Sequence, residues 1–216
     1  MKQFLDSANY GDIVECVMCG VIEGVTINQA LLAKEPPCEP LMYFRRISDY
    51  LHHGQHLSVP LLDDETGYMY GLQMFAEIGY DKLAIKVPVS WRTLPIIHDL
   101  ACAGQEVNAT CIYSVQQADM AARAGATILS AFVGRMNDVQ PDYGYRVLTA
   151  IKKRHPDLLV LAGSVRNIEM VGRVEECGAD ICTVSKTVLE SLSDEIHSTQ
   201  NAEAFNESYK AWLSQK

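Results

Sequence analysis

The sequence predicts the α/β class and, within it, a single (β/α)8 TIM barrel spanning residues 1–216. Two observations lead there. Eight short apolar runs recur along the chain, and most are continuously hydrophobic rather than alternating, the pattern of parallel strands covered on both faces. Between them lie segments whose apolar residues recur three and four apart, so strand and helix alternate, and eight repeats favour a closed barrel over an open sheet. At 216 residues the chain is near the lower size for this architecture, so the connections must be short.

Taken in order, the first strand is "QFLDS" (3–7), followed by a helix that starts near Ala8 and contains "CVMC" (16–19). "GVTIN" (24–28) is the second strand, and "KEPPCEP" (34–40), with two consecutive prolines, is a surface loop. "HLSVPLL" (56–62), "LAIKVPV" (83–89) and "VNATCIY" (107–113) are the third to fifth strands. "SVQQADMAARAGA" (114–126) is helical and stops at "AGAT" (124–127), which feeds the sixth strand, "TILSAFVG" (127–134). "GYRVLTAIKKRHP" (144–156) is the next clear helix, before "LLVLAGS" (158–164) and, after the stop at "CGAD" (177–180), "DICTVS" (180–185). The tail "NAEAFNESYKAWLSQK" (201–216) is a final amphipathic helix with Phe205, Tyr209 and Trp212 in one stripe, a packing face for its own barrel or for a neighbouring subunit.

Composition narrows the function classes. With 48% hydrophobic and 21% charged residues the chain is an ordinary globular protein, and a net charge of −9 argues against a nucleic-acid or anionic-membrane partner. Any anionic ligand must be held by a few local cations. No run approaches the roughly 18 apolar residues of a membrane span, and the N-terminus lacks a signal-peptide apolar core, so the expected compartment is the cytoplasm. Seven cysteines without secretory context read as reduced thiols, and "CVMC" has no second pair to complete a metal site.

In such a barrel, side chains at the C-terminal ends of the strands converge on one mouth. The polar residues there are Asp6, Thr26, Asn28, Lys86, Asn108, Thr110, Arg135, Ser164 and Arg166. Each has a local alternative. Asp6 could cap the first helix, Thr26 and Asn28 could make turn bonds, Asn108 and Thr110 could satisfy each other, and the arginines could be solvated. Independent roles of that kind would scatter the groups over both ends of the barrel. Lys86, inside an apolar run, either lies at a sheet edge with its ammonium in water or is desolvated to act as a nucleophile. A desolvated amine is neutral at physiological pH, attacks a ketone and forms an iminium that weakens a carbon–carbon bond two atoms away. Asp6 could then move the proton of the cleaved fragment's hydroxyl, and the arginines with Ser164 suit a phosphate.

At these residues the chain resembles the transaldolases, of the short bacterial branch that includes the fructose-6-phosphate aldolases. The likeness is carried by "FLDSAN" (4–9), "GVTINQALLAK" (24–34), "IKVPVS" (85–90), "NATCIYSVQQADMAARAGA" (108–126), "SAFVGRMND" (130–138), "AGSVRNIEM" (162–170) and "CGADICTV" (177–184). It implies Lys86 as the Schiff-base lysine, Asp6 as the proton-transferring acid, and Thr110, with Asn108 beside it, as holder of the catalytic water. Asn28 would bind a substrate hydroxyl with Thr26 nearby, while Arg135, Ser164 and Arg166 would bind the phosphate. The resemblance further implies sugar phosphate substrates, no cofactor, no metal, and a homo-oligomer of pentamers paired into decamers.

The chain departs from the family pattern at three places. Ile27 and Gln29 stand where the second-strand motif G-V-T-T-N-P has Thr and Pro, which predicts a looser loop around Asn28. Pro60 stands where the third strand has a water-handling Glu or Gln, and Cys111, Tyr113, Asp63 and Asp64 are the nearby groups that could stand in. Phe132 replaces the Tyr of the aldolases, which favours transfer of a dihydroxyacetone unit over free aldol cleavage. An aldolase, or a barrel that only binds sugar phosphates, are the alternatives.

Overall fold

The computed structural model describes residues 1–52, 54–61 and 65–214, with the backbone alone at 65–68, 74 and 75. Eight parallel strands close in chain order: β1 (Lys2–Asp6), β2 (Gly24–Thr26), β3 (His56–Pro60), β4 (Leu83–Pro88), β5 (Glu106–Ile112), β6 (Ile128–Phe132), β7 (Leu159–Gly163) and β8 (Ile181–Val184). The barrel closes where β8 pairs with β1, Phe4 opposite Thr183. Around it run α1 (Tyr10–Met18), α2 (Gln29–Leu32), α3 (Pro40–Ser48), α4 (Glu65–Ile78), α5 (Leu94–Cys102), α6 (Val115–Ala124), α7 (Val133–Val139), α8 (Tyr143–Arg154), α9 (Ile168–Glu176), α10 (Lys186–Ser193) and α11 (Ile196–Leu213).

The continuous apolar runs have a simple origin in the two-residue period of a strand. One set of alternate residues, Leu5, Val25, Leu57, Val59, Ile85, Val87, Val107, Leu129 and Val160 among them, faces the helices and forms the main core. The other set faces inward and changes character along the barrel axis. Phe4, Ala84, Ile128, Leu161 and Ile181 form an apolar plug. Two residues further along the same strands stand Asp6, Lys86, Ser130 and Thr183. Gly24 makes room for that plug, since a Cβ there would lie 2.7 Å from the Phe4 ring.

Several element ends differ from expectation, each for a local reason. β2 stops at Thr26, because Asn28 caps α2 with its side chain bonded to the Leu31 amide. β6 stops at Phe132, because Val133 already begins α7. α1 starts at Tyr10 with Asn9 as its cap, so Asp6 has no capping role. The surface loop ends one residue early, since Pro40 opens α3, where its missing N–H has no intrahelical partner to lose. Leu62 of the third apolar run lies outside the described residues.

No residue of α11 is buried, so Phe205, Tyr209 and Trp212 face away from their own barrel. All seven cysteines are free thiols. Among the described residues no helix is long and apolar enough to cross a membrane.

Candidate active site

A closed barrel has no sheet edge, which removes the edge explanation for Lys86. Its side chain points inward and is 8% exposed. The Nζ donates one long bond, 3.4 Å, to the Ile27 carbonyl, and no carboxylate lies within ion-pair distance among the described residues. Burial pulls the amine's pKa below the ordinary lysine value, with the charges of Asp6 and Cys111 acting in the opposite direction. The lysine stands in register between Pro60 on β3 and Asn108 on β5.

Asp6 ends β1 and is held from the side. The Thr26 hydroxyl donates to its Oδ1 at 2.8 Å, and Thr26 in turn meets the Thr183 hydroxyl at 2.6 Å. Since Thr26 has one proton and gives it to Asp6, Thr183 is the donor in the second bond. The chain Thr183 to Thr26 to Asp6 thus fixes the carboxylate across three adjacent strands. Thr183 was invisible in the sequence as a polar partner, because it sits in an apolar strand 157 residues from Thr26.

Asn108 and Thr110 do not satisfy one another. The Asn108 amide donates to Ser58 at 2.9 Å and its carbonyl accepts from Ser130 at 2.6 Å, so the side chain is engaged by its two neighbouring strands and is fully buried. Thr110 is 4% exposed and its hydroxyl has no hydrogen-bond partner among the described residues.

Above these groups opens a cavity of about 260 Å³, lined by Asn28, Gln29, Ala30, Lys86, Pro88, Thr110, Cys111, Phe132 and Arg135. Asn28 is steadied through its cap bond, 3.0 Å from the Leu31 amide. The expected loosening around it is not found. The Gln29 amide donates to the Leu61 carbonyl at 2.8 Å and ties α2 to the end of β3, while Ile27 is fully buried in the core. Phe132 lies between the Tyr113 ring, 5.8 Å away, and the Arg135 guanidinium, 5.1 Å from its centroid. Arg135 makes no ion pair among the described residues.

Ser164 and Arg166 stand apart from this lining. Arg166 makes a two-bond pair with Asp138, at 2.8 and 2.7 Å, and reaches the Ser164 hydroxyl at 3.3 Å. The Arg166 hydrogen bonds hold the Asp138 carboxyl below its ordinary range. Asp138 was readable only as part of the "SAFVGRMND" segment, because nothing in its spacing announces a partner 28 residues away. Ser164 has a φ of 59° and packs on Gly134, where a Cβ would fall 2.0 Å from the Ser164 carbonyl.

Pro60 is buried beside Lys86 and offers no acid. Its place in the sheet is compatible with proline, since alternate residues of β3 turn toward β2 and β2 has already ended at Thr26. Of the groups considered in its stead, Cys111 lines the cavity, Tyr113 packs on Phe132, and Asp63 and Asp64 lie outside the described residues.

Comparison with known proteins gives the family. The family model described as Transaldolase/Fructose-6-phosphate aldolase matches residues 3–216. A probable transaldolase from Thermoanaerobacter sp. (strain X514) is 33% identical over 216 residues, covering 97% of each chain. One from Chelativorans sp. (strain BNC1) is 32% identical over 209 residues, 95% of this chain and 94% of its own. Another, from Desulforapulum autotrophicum, is 33% identical over 214 residues, 97% of this chain and 98% of its own. Because the match runs from the first strand through the last helix, the chain belongs to the transaldolase/fructose-6-phosphate aldolase family.

Proposed function

We propose that this protein is a transaldolase-type enzyme that moves a dihydroxyacetone unit from a ketose phosphate, of the fructose 6-phosphate or sedoheptulose 7-phosphate type, to an aldose phosphate. The observation that carries the reading is the Lys86 amine, buried and, among the described residues, without a carboxylate in ion-pair contact, beneath a cavity of sugar size. Burial lowers its pKa and so favours the neutral amine, which attacks the ketose carbonyl, and loss of water leaves an iminium. The Asp6 carboxylate takes the proton from the hydroxyl on the far carbon, the carbon–carbon bond breaks, and its electron pair moves onto the iminium to give an enamine. The aldose leaves, and a second aldose reverses the sequence. The iminium is itself the electron sink, so the chemistry calls for neither cofactor nor metal.

Asn28, whose Oδ1 is engaged by the Leu31 amide, presents its Nδ2 to a sugar hydroxyl. Arg135, which makes no ion pair among the described residues, attracts the phosphate, and Ser164 with Arg166 extends that end, the charge of Arg166 being offset by Asp138. Thr110 offers its hydroxyl, which lines the cavity, to the water that leaves and returns. Phe132 supplies no phenol to activate water on the iminium, which favours transfer. An aldolase is the second reading, and Tyr113, which brings a phenol against Phe132, favours it. A barrel that only binds sugar phosphates would have no use for a desolvated lysine. We further infer a homo-oligomer, pentamers paired into decamers, joined through α11. The seven free thiols suit a reducing compartment such as the cytoplasm.

Incubation with fructose 6-phosphate and borohydride should fix one reduced three- or six-carbon adduct on Lys86, read by peptide mass. Failure of every ketose phosphate donor to give that adduct would overturn the mechanism. Donor consumption without an acceptor aldehyde would select the aldolase reading. A Lys86→Met variant that binds sugar phosphate as its turnover-free parent does would select the binder.

A further inference from the structure

Among the described residues the cavity lining contains no side-chain carboxylate, Asp6 included, and no imidazole. Pro60 removes the one that the third strand could have supplied. Loss of water from an amine adduct nonetheless needs an acid near the departing oxygen.

Consecutive residues of a straight strand point to opposite sides of a sheet, yet Thr110 and Cys111 both line this cavity. The backbone shows why. Pairing of β5 with β6 shifts register between Ala109 and Ile112, and Cys111 adopts a φ of 57° within that irregularity. A bulge of this kind re-aims a side chain, and a left-handed non-glycine residue is strained, so the rest of the fold must hold it there. What the distortion achieves is a thiol in the cavity wall that it shares with Lys86 of β4 and Arg135 of α7, within reach of the charge of both. Beside it the buried Thr110 hydroxyl lines the same space, close enough to act on the Cys111 sulfur.

We propose that the Cys111 thiol is the catalytic acid and base for water at the imine, in place of the missing third-strand group; the proposal rests on the Lys86 imine reading above. The Lys86 nitrogen adds to the ketose carbonyl carbon and its proton moves to the former carbonyl oxygen. The S–H of Cys111 then gives its proton to that hydroxyl, the carbon–oxygen bond breaks, water leaves, and the nitrogen lone pair closes the C=N bond. The products are an iminium cation and a thiolate anion, neutral as a pair. On the return path water adds to the iminium carbon, the thiolate takes its proton, and the amine is released. Burial keeps the resting thiol protonated by raising its pKa, with Lys86, Arg135 and the Thr110 hydroxyl pulling the other way, so it meets the substrate as a neutral donor. The cation formed next to it then stabilises the thiolate.

The test is the rate of borohydride-trappable adduct at Lys86, followed against pH in the wild type, Cys111→Ala and Cys111→Ser. The wild type should show a bell, rising as Lys86 loses its proton and falling as Cys111 loses its own. Both variants should form the same adduct about 10²-fold more slowly, lose the falling limb, and recover part of the rate when a small external acid such as imidazolium is added. A structural role alone would change the rate without removing the limb or allowing rescue. Adduct formation in Cys111→Ser at the wild-type rate and with the wild-type pH profile would overturn the thiol's role while leaving the imine intact. A wild type that forms no adduct would overturn both.

Discussion

At the scale of single residues, Lys86 sets stability against chemistry. The unfolded chain binds the lysine proton at the ordinary value of 10.5, whereas burial lowers the folded value. Stability is therefore present above pH 10.5 and lost as pH falls toward the folded pKa, so at neutral pH the lysine is a net cost. Lys86→Met, of similar volume and without the charge, should raise the thermal midpoint at pH 7 by roughly 2–4 °C per kcal/mol relieved. Calorimetry should find the gain shrinking as pH approaches 10.5, and a lower midpoint at pH 7 would show that the amine is not desolvated. Asp6 acts in the opposite direction, since its charge raises the lysine pKa. Asp6→Asn should move the acid limb of borohydride trapping to lower pH even as it slows carbon–carbon cleavage. An unmoved limb would mean that the carboxylate does not reach Lys86 electrostatically. The lysine itself was legible in the sequence, as a cation out of place in an apolar run. That it makes no ion pair among the described residues was not, because that depends on which strands lie beside β4.

At the scale of elements, the chain's alternation of apolar runs and helical periodicity was enough to foresee a barrel, since each strand buries one face against helices whatever its exact ends. The ends were less legible, because they depend on caps such as Asn28 and on the switch at Val133 from strand to helix with no polar residue to mark it. The same switch positions the anion-binding side of the cavity. α7 is pressed so close to the loop after β7 that Gly134 has no room for a methyl group: its Cβ would lie 2.0 Å from the Ser164 carbonyl and 2.9 Å from the Ser164 hydroxyl oxygen. Gly134→Ala should therefore push α7 outward, costing about 1–3 kcal/mol by chemical denaturation. Because Arg135 is the next residue, the KM for a phosphorylated donor should rise several-fold more than that for its unphosphorylated counterpart. An equal rise for both would mean that Arg135 has no part in phosphate binding. Gln29 teaches the complementary lesson. Its arrival in place of proline suggested a loosened loop, but the side chain regains the constraint through the Leu61 carbonyl, a bond between elements that no local pattern contains.

For the whole molecule, the cavity and every group assigned to it come from one barrel, whereas the last helix buries no residue against that barrel. α11 runs for 18 residues with none buried, and Phe205, Tyr209 and Trp212 are 72, 59 and 53% exposed. Their spacing of four and three puts them on one face, where Tyr209 and Trp212 stack at 5.8 Å. Most helical stability in proteins comes from packing of an apolar face, and three aromatic rings on one exposed face mark an interaction surface. The stripe was legible in the sequence; that it turns away from its own barrel was not, because the choice depends on where α10 releases the chain. A second copy is the occupant that the family resemblance implies, and electrostatics gives the prediction its sign. Subunits carrying −9 each repel, so added salt should tighten an association held by apolar contact, by screening the repulsion without weakening the aromatic burial. Sedimentation velocity should show the wild type as an oligomer that becomes more complete between low and moderate salt. Replacing Phe205, Tyr209 and Trp212 together by Ser should yield a smaller species at every salt concentration, with far-ultraviolet dichroism still that of a folded barrel and Lys86 still trapped by borohydride. An assembly that survives the triple replacement, or that salt dissociates, would mean that ionic contacts elsewhere on the barrel hold the subunits together.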